Sequence, residues 1–107
     1  MSKEDDLDSD KGVGVAEAKP KLKRPSMYQV LLINDDFTPM DFVIEILTQF
    51  FGMNSEKATQ VMLQVHTEGR GTCGIYTVDV AETKVKMVVD YAKHNQHPLL
   101  CISERVD

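Results

Sequence analysis

The sequence predicts an α+β domain. It is a small two-layer sandwich, with three helices on one face of a three-stranded antiparallel sheet, in the order strand, helix, helix, strand, helix, strand. Three observations carry this. Short apolar runs rich in β-branched residues alternate with stretches whose apolar residues recur at helical spacing. Cap and turn residues separate these segments. The chain has 107 residues, 42% of them hydrophobic and 27% charged, which suits one globular domain with a single core.

Met27 to Ile33 reads as a buried strand that stops at Asn34-Asp35-Asp36. A helix follows, with Thr38 as N-cap and Pro39 in the first helical position. Asp41 places a carboxylate in its first turn. Phe42, Val43, Ile46, Leu47, Phe50 and Phe51 form its apolar face, and Gly52 ends it. Asn54 or Ser55 caps a second helix, whose stripe is Ala58, Val61, Met62, Val65 and His66, and Gly69 and Gly71 end it. Thr72 to Val78 reads as a strand with Cys73, Ile75 and Thr77 on one face and Tyr76 and Val78 on the other. Asp79-Val80-Ala81-Glu82 resembles a capping box with Asp79 as the cap. The third helix packs through Ala81, Val85, Val88 and Ala92 and ends in the polar run before Pro98. Leu99 to Ile102 is the last strand.

Charge is unevenly placed. Residues 1–10 hold five acids and one base, and residues 11–25 hold five bases and one acid. These 25 residues lack aromatics and carry two of the four prolines, so residues 1–25 are expected to form a disordered tail ahead of a folded domain over 26–107. The net charge of -5 falls wholly on that domain and argues against a nucleic-acid partner. No run of eighteen apolar residues and no secretory signal is present, so no membrane partner is expected and the location is expected to be cytoplasmic. Cys73 and Cys101 are expected to be reduced thiols.

Asn34-Asp35-Asp36 lies between a strand and a helix. On spacing alone turn chemistry accounts for it. The sharper reading is a cluster of acceptors for a donor-only ligand such as an ammonium group. His66 has two readings as well, a last-turn histidine bonded to a carbonyl or a polar group at the rim of an apolar pocket. Met40, Met62, Val65 and Leu99 read first as core, although methionine also suits a surface that adapts to varied ligands. Asp79, Glu82 and Lys84 read as capping and a solvated face, with a partner surface as the alternative. His94 and His97, with the distant cysteines, match no zinc spacing, so no metal and no cofactor is expected. No nucleophile motif or phosphate-binding loop occurs in the domain.

At Asn34 the residues meet a known pattern. Asn-Asp-Asp-Phe-Thr-Pro-Met, running on through Asp41-Phe42-Val43-Ile44, resembles the signature of ClpS, the adaptor family of the bacterial Clp protease. The resemblance continues through Ala58-Thr59, Met62, Val65 and His66, then Cys73-Gly74, Val80 to Lys84, and His97 to Cys101. It covers roughly residues 25–104, the whole predicted folded part. Phe37 stands where tyrosine is frequent, and Asp41 where glutamate is.

The resemblance implies a non-enzymatic adaptor for N-degrons. Such a protein binds the free α-amino group and bulky first side chain (Leu, Phe, Tyr or Trp) of its substrates. It delivers them to the ClpA unfoldase of the ClpAP protease and modulates that unfoldase's choice of substrate. It implies a polar rim of Asn34, Asp35 and His66, supported by Asp36 and Thr38. It implies a side-chain pocket of Met40, Met62, Val65 and Leu99, with Met40 as a gate against β-branched residues. Asp79, Glu82 and Lys84 would face the N-terminal domain of ClpA, and the adaptor would be a monomer. Two alternatives rank below this. One is an interaction module like the C-terminal domain of the ribosomal stalk protein, with no N-degron pocket. The other is a small acid/base enzyme using His66 with Asp35 or Asp36.

Overall fold

A computed structural model describes residues 24–107. Of the predicted tail, residues 1–23 lie outside the described residues. Six elements follow in the predicted order: β1 (Met27–Ile33), α1 (Met40–Phe51), α2 (Ser55–Glu68), β2 (Arg70–Thr77), α3 (Val78–His94) and β3 (Leu100–Arg105). The sheet is antiparallel with strand order β2-β1-β3, so β1 is hydrogen-bonded on both sides.

The core lies between the sheet and the helices. Val30 and Leu32 of β1 meet Phe42, Val43, Ile46 and Leu47 of α1, Ala58, Val61, Met62 and Val65 of α2, and Ala81, Val88 and Ala92 of α3. These are the apolar stripes that the 3.6-residue period marks. Tyr91 fixes α3 against α1. Its ring stacks on Phe42 with centroids 5.7 Å apart, meets Phe50 edge-on at 5.2 Å, and its hydroxyl donates to Glu45. Leu31 points to the opposite face of the sheet yet is only 2% exposed. The register places the row Thr72, Leu31 and Ile102 between Arg70 of β2 and Glu104 of β3, whose side chains meet at 2.6 Å. That ion pair spans β1 and shields Leu31.

Four expectations need correction. Thr38 is not the cap of α1. Pro39 is (φ −66°, ψ 148°), and its carbonyl accepts from the amides of Phe42 and Val43 at 3.1 and 3.2 Å. Asp79 is not the cap of α3. Thr77 is, and Val78 is already helical, because β2 stays paired to β1 as far as Thr77 and Ala81 must reach the core four residues on. Asp79 instead lies in the first turn, where a carboxylate favours the helix dipole, and Glu82 follows it by three residues.

The third correction concerns the faces of β2. A bulge falls opposite Val30 and Leu31, which pair with Gly74 and Thr72 and leave Cys73 as the extra residue. Parity reverses there. Gly71 and Cys73 face the core on one side of the bulge, and Tyr76 packs on it beyond, while Ile75 turns outward and is 54% exposed. The predicted alternation of Cys73 with Ile75 and Thr77 assumed an unbroken strand. Last, Gly71 lies inside β2 rather than ending α2, which closes at Gly69 in a left-handed conformation (φ 89°).

Candidate functional site

One backbone hydrogen bond brings the two halves of the site together. The Asn34 amide, just past β1, donates to the carbonyl of Gly69, the C-cap of α2, at 2.9 Å. The loop after β1 therefore lies against the last turn of α2. Between them is a cavity of about 340 Å³, lined by Asn34 to Met40, Val43, Met62, Val65 and His66. That volume is within the range of small-ligand sites.

The loop is shaped by one side chain. Asp35 Oδ2 accepts from the amides of Phe37 and Thr38, each at 2.9 Å. This is the turn chemistry expected of an Asp at a strand end. Asp35 Oδ1 and the Thr38 hydroxyl oxygen are buried and have no hydrogen-bond partner of good geometry. Burial works to raise the Asp35 pKa. The two amides, the neighbouring Thr38 hydroxyl and the field of His97 outweigh it and hold the carboxyl below its ordinary value. Asp35 is thus an anion beneath the rim. Asn34, Asp36 and His66 are exposed on the lining. Among the described residues no lysine or arginine lines the cavity.

The apolar wall is Val43 of α1 and Met62 and Val65 of α2, all buried, with Met40 at the mouth and 45% exposed. Of the residues implied for the pocket, Asn34, Asp35, Asp36, Thr38, Met40, Met62, Val65 and His66 all line it. Leu99 is 5% exposed and belongs to the same core cluster as Met62 and Val65. Val43 takes a place on the wall that sequence reasoning gave only to the helix core. Its position one turn after Pro39 was the available signal. Phe37 and Pro39 also line the cavity.

Asp79 and Glu82 are exposed on α3, away from the cavity lining. Lys84 is half-buried. Its ammonium donates to the Phe50 carbonyl at 2.7 Å and lies 5.6 and 5.9 Å from the ring centres of Phe51 and Tyr76. Burial pushes the Cys101 thiol up to about 12 and the Cys73 thiol higher still, so both are unreactive core groups. Among the described residues no cluster of three or more His, Cys, Asp or Glu could hold a metal ion. None of their helices is long and apolar enough to cross a membrane.

Fold and cavity together define a small α+β domain whose candidate site joins an acidic, polar rim to an apolar wall. Residues 23–102 match the family model described as ATP-dependent Clp protease adaptor protein ClpS. The chain is 61% identical over 104 residues to the ATP-dependent Clp protease adapter protein ClpS of Methylococcus capsulatus, covering 97% of this chain and 98% of that one. It is 59% identical over 97 residues to the same adapter of Hydrogenovibrio crunogenus, covering 91% and 93%. The structure of Agrobacterium tumefaciens ClpS2 bound to L-phenylalaninamide superposes with a TM-score of 0.76 at 36% identity, covering 78% of this chain and all of that one. The chain belongs to the ClpS family of Clp protease adaptors, which are not enzymes.

Proposed function

We propose that this domain binds the free α-amino group and bulky apolar first side chain (Leu, Phe, Tyr or Trp) of N-degron substrates and hands them to the ClpA unfoldase. The observation that carries this is the junction, in one cavity, of exposed Asn34, Asp36 and His66 with the wall of Val43, Met62 and Val65. An N-terminal residue is an ammonium beside an apolar side chain, and the cavity offers each half what it lacks in isolation. L-phenylalaninamide, the ligand of the Agrobacterium relative, has that same pairing.

Asn34, Asp35 and His66 meet the amino group and first peptide unit, with Asp36 and Thr38 in support. Asp35 Oδ2 holds the loop through two amides, and its Oδ1, which has no partner among the described residues, is the acceptor left for the ammonium. Charge-assisted bonds contribute about 1.5–3 kcal/mol each. Burial of a Leu or Phe side chain contributes about 1.5–3 kcal/mol more. Less the cost of association, these reach micromolar affinity or somewhat tighter, around −8 kcal/mol. Asp79 and Glu82, with the flank of Lys84, form the surface for the N-terminal domain of ClpA. The adaptor works as a cytoplasmic monomer.

The test is a titration with a fluorescent peptide beginning with Leu or Phe, beside its N-acetylated twin. Binding of the free peptide and its loss on acetylation support the reading. Equal binding of the two, or binding of neither, overturns it.

A further inference from the structure

We propose that Phe37 reads the second residue of the substrate, favouring apolar and aromatic side chains there. This rests on the N-degron reading above and extends its specificity by one position. Phe37 lines the mouth of the cavity and is 79% exposed, the most exposed large apolar side chain among the described residues. It takes no part in the core cluster. Its backbone is nevertheless held firmly. The Phe37 amide bonds Asp35 Oδ2 at 2.9 Å, the next amide bonds the same oxygen, and Pro39 follows with its ring-fixed φ. The fold therefore anchors an aromatic ring on a braced loop and leaves it facing water.

The geometry of an extended peptide supplies the occupant. Successive side chains point to opposite sides at about 3.3 Å per residue. When the first side chain enters the cavity, the second points away from its floor. The cavity wall residues Val43, Met62 and Val65 are buried and lie below that level. The exposed apolar side chains on the lining are Phe37, Pro39 and Met40, and of these Phe37 is the most exposed and the one aromatic ring. An apolar second residue would cover part of the ring, and an aromatic one would stack on it.

The experiment measures Kd for two free peptides that share a first leucine and differ at the second position, phenylalanine against serine. The protein and its F37A and F37Y variants are compared. The expected Kd ratio is about threefold to tenfold in favour of phenylalanine. It falls to about one in F37A and is kept in F37Y, which retains the ring. A ratio of one in the unaltered protein overturns the proposal. So does a ratio that survives in F37A, because the preference then lies elsewhere. An F37A variant that loses affinity for both peptides in equal measure also overturns it, since the ring would then only support the loop. Binding that ignores N-acetylation defeats the N-degron reading itself. Binding that needs the free amine but ignores the second residue defeats only the role of Phe37.

Discussion

A Cβ placed on Gly71 of β2 would come within 2.7 Å of Val65 Cγ2 and 3.3 Å of the Val61 carbonyl oxygen on α2. The helix that carries half of the candidate site rests directly on strand backbone. Gly71→Ala is therefore expected to push Val65 outward, costing about 1–3 kcal/mol of stability and weakening peptide binding together. Urea unfolding and the Leu-peptide titration measure both. Combining it with Val65→Ala removes the clashing methyls, so the double variant should lose less stability than the two single losses added. Strict additivity would mean that the two residues do not press on each other.

Lys84 has a structural task that complicates its use as a partner contact. Its ammonium closes an otherwise unpaired carbonyl in the last turn of α1 and lies against two aromatic rings. Lys84→Ala is expected to lower stability by about 1–2 kcal/mol, which for a domain of this size is several degrees in Tm. Charge reversal at exposed Asp79 or Glu82 should change stability by less than about 1 kcal/mol while reducing affinity for ClpA. Melting curves beside a ClpA binding assay separate the two effects. An unchanged Tm in Lys84→Ala would show that the bond to Phe50 contributes nothing.

Asp35 should respond differently to its two simplest replacements. Asparagine keeps an oxygen for the amides of Phe37 and Thr38 but lacks the charge. Alanine loses both. Peptide affinity is expected to fall by about tenfold or more in Asp35→Ala and by less in Asp35→Asn. The pH dependence has a definite sign. The folded pKa lies below the ordinary value of 3.8, so the stabilisation is present above that value and is lost as pH falls through the depressed one. Acid unfolding of the parent should steepen below about pH 4, and Asp35→Asn should remove that part of the slope. Superimposable acid-unfolding curves would contradict the role of the carboxylate.

Met40, the first residue of α1, lines the cavity and is half in water. Met40→Ala is expected to leave the fold intact and to open the mouth. First residues branched at Cβ, Ile and Val, should then bind, because their stiff side chains no longer meet the methionine. Ranking a set of free peptides by Kd measures this. If Ile and Val stay excluded, the gate lies elsewhere on the wall.

The stripes of α1 and α2 and the strand Met27–Ile33 were legible because their burial follows a fixed period. The acceptor cluster at Asn34 to Asp36 was legible as a string of residues. The bonds that brace it were not, because only the loop geometry sets Asp35 Oδ2 on the amides of Phe37 and Thr38. Val43 was hidden by its own regularity, since a stripe does not distinguish a cavity wall from solid core. Leu99, which the resemblance implies for the pocket, lies in the same buried cluster as Met62 and Val65, and its apolar character alone could not assign it to wall or core. The bulge at Cys73 leaves no mark in the alternation, and it arises only when β2 is laid against β1.

That bulge has a further effect on how the molecule keeps to itself. β2 is an outer strand of the sheet, with exposed Ile75 beside it, and such edges invite another chain to add a strand and begin aggregation. The extra residue at Cys73 interrupts the regular spacing of the ladder and increases the local twist. A straight foreign strand laid along β2 would fall out of step midway. Among the described residues that edge of β2 is unpaired, and the irregularity that carries Cys73 and Tyr76 into the core also makes it a poor template for a regular added strand.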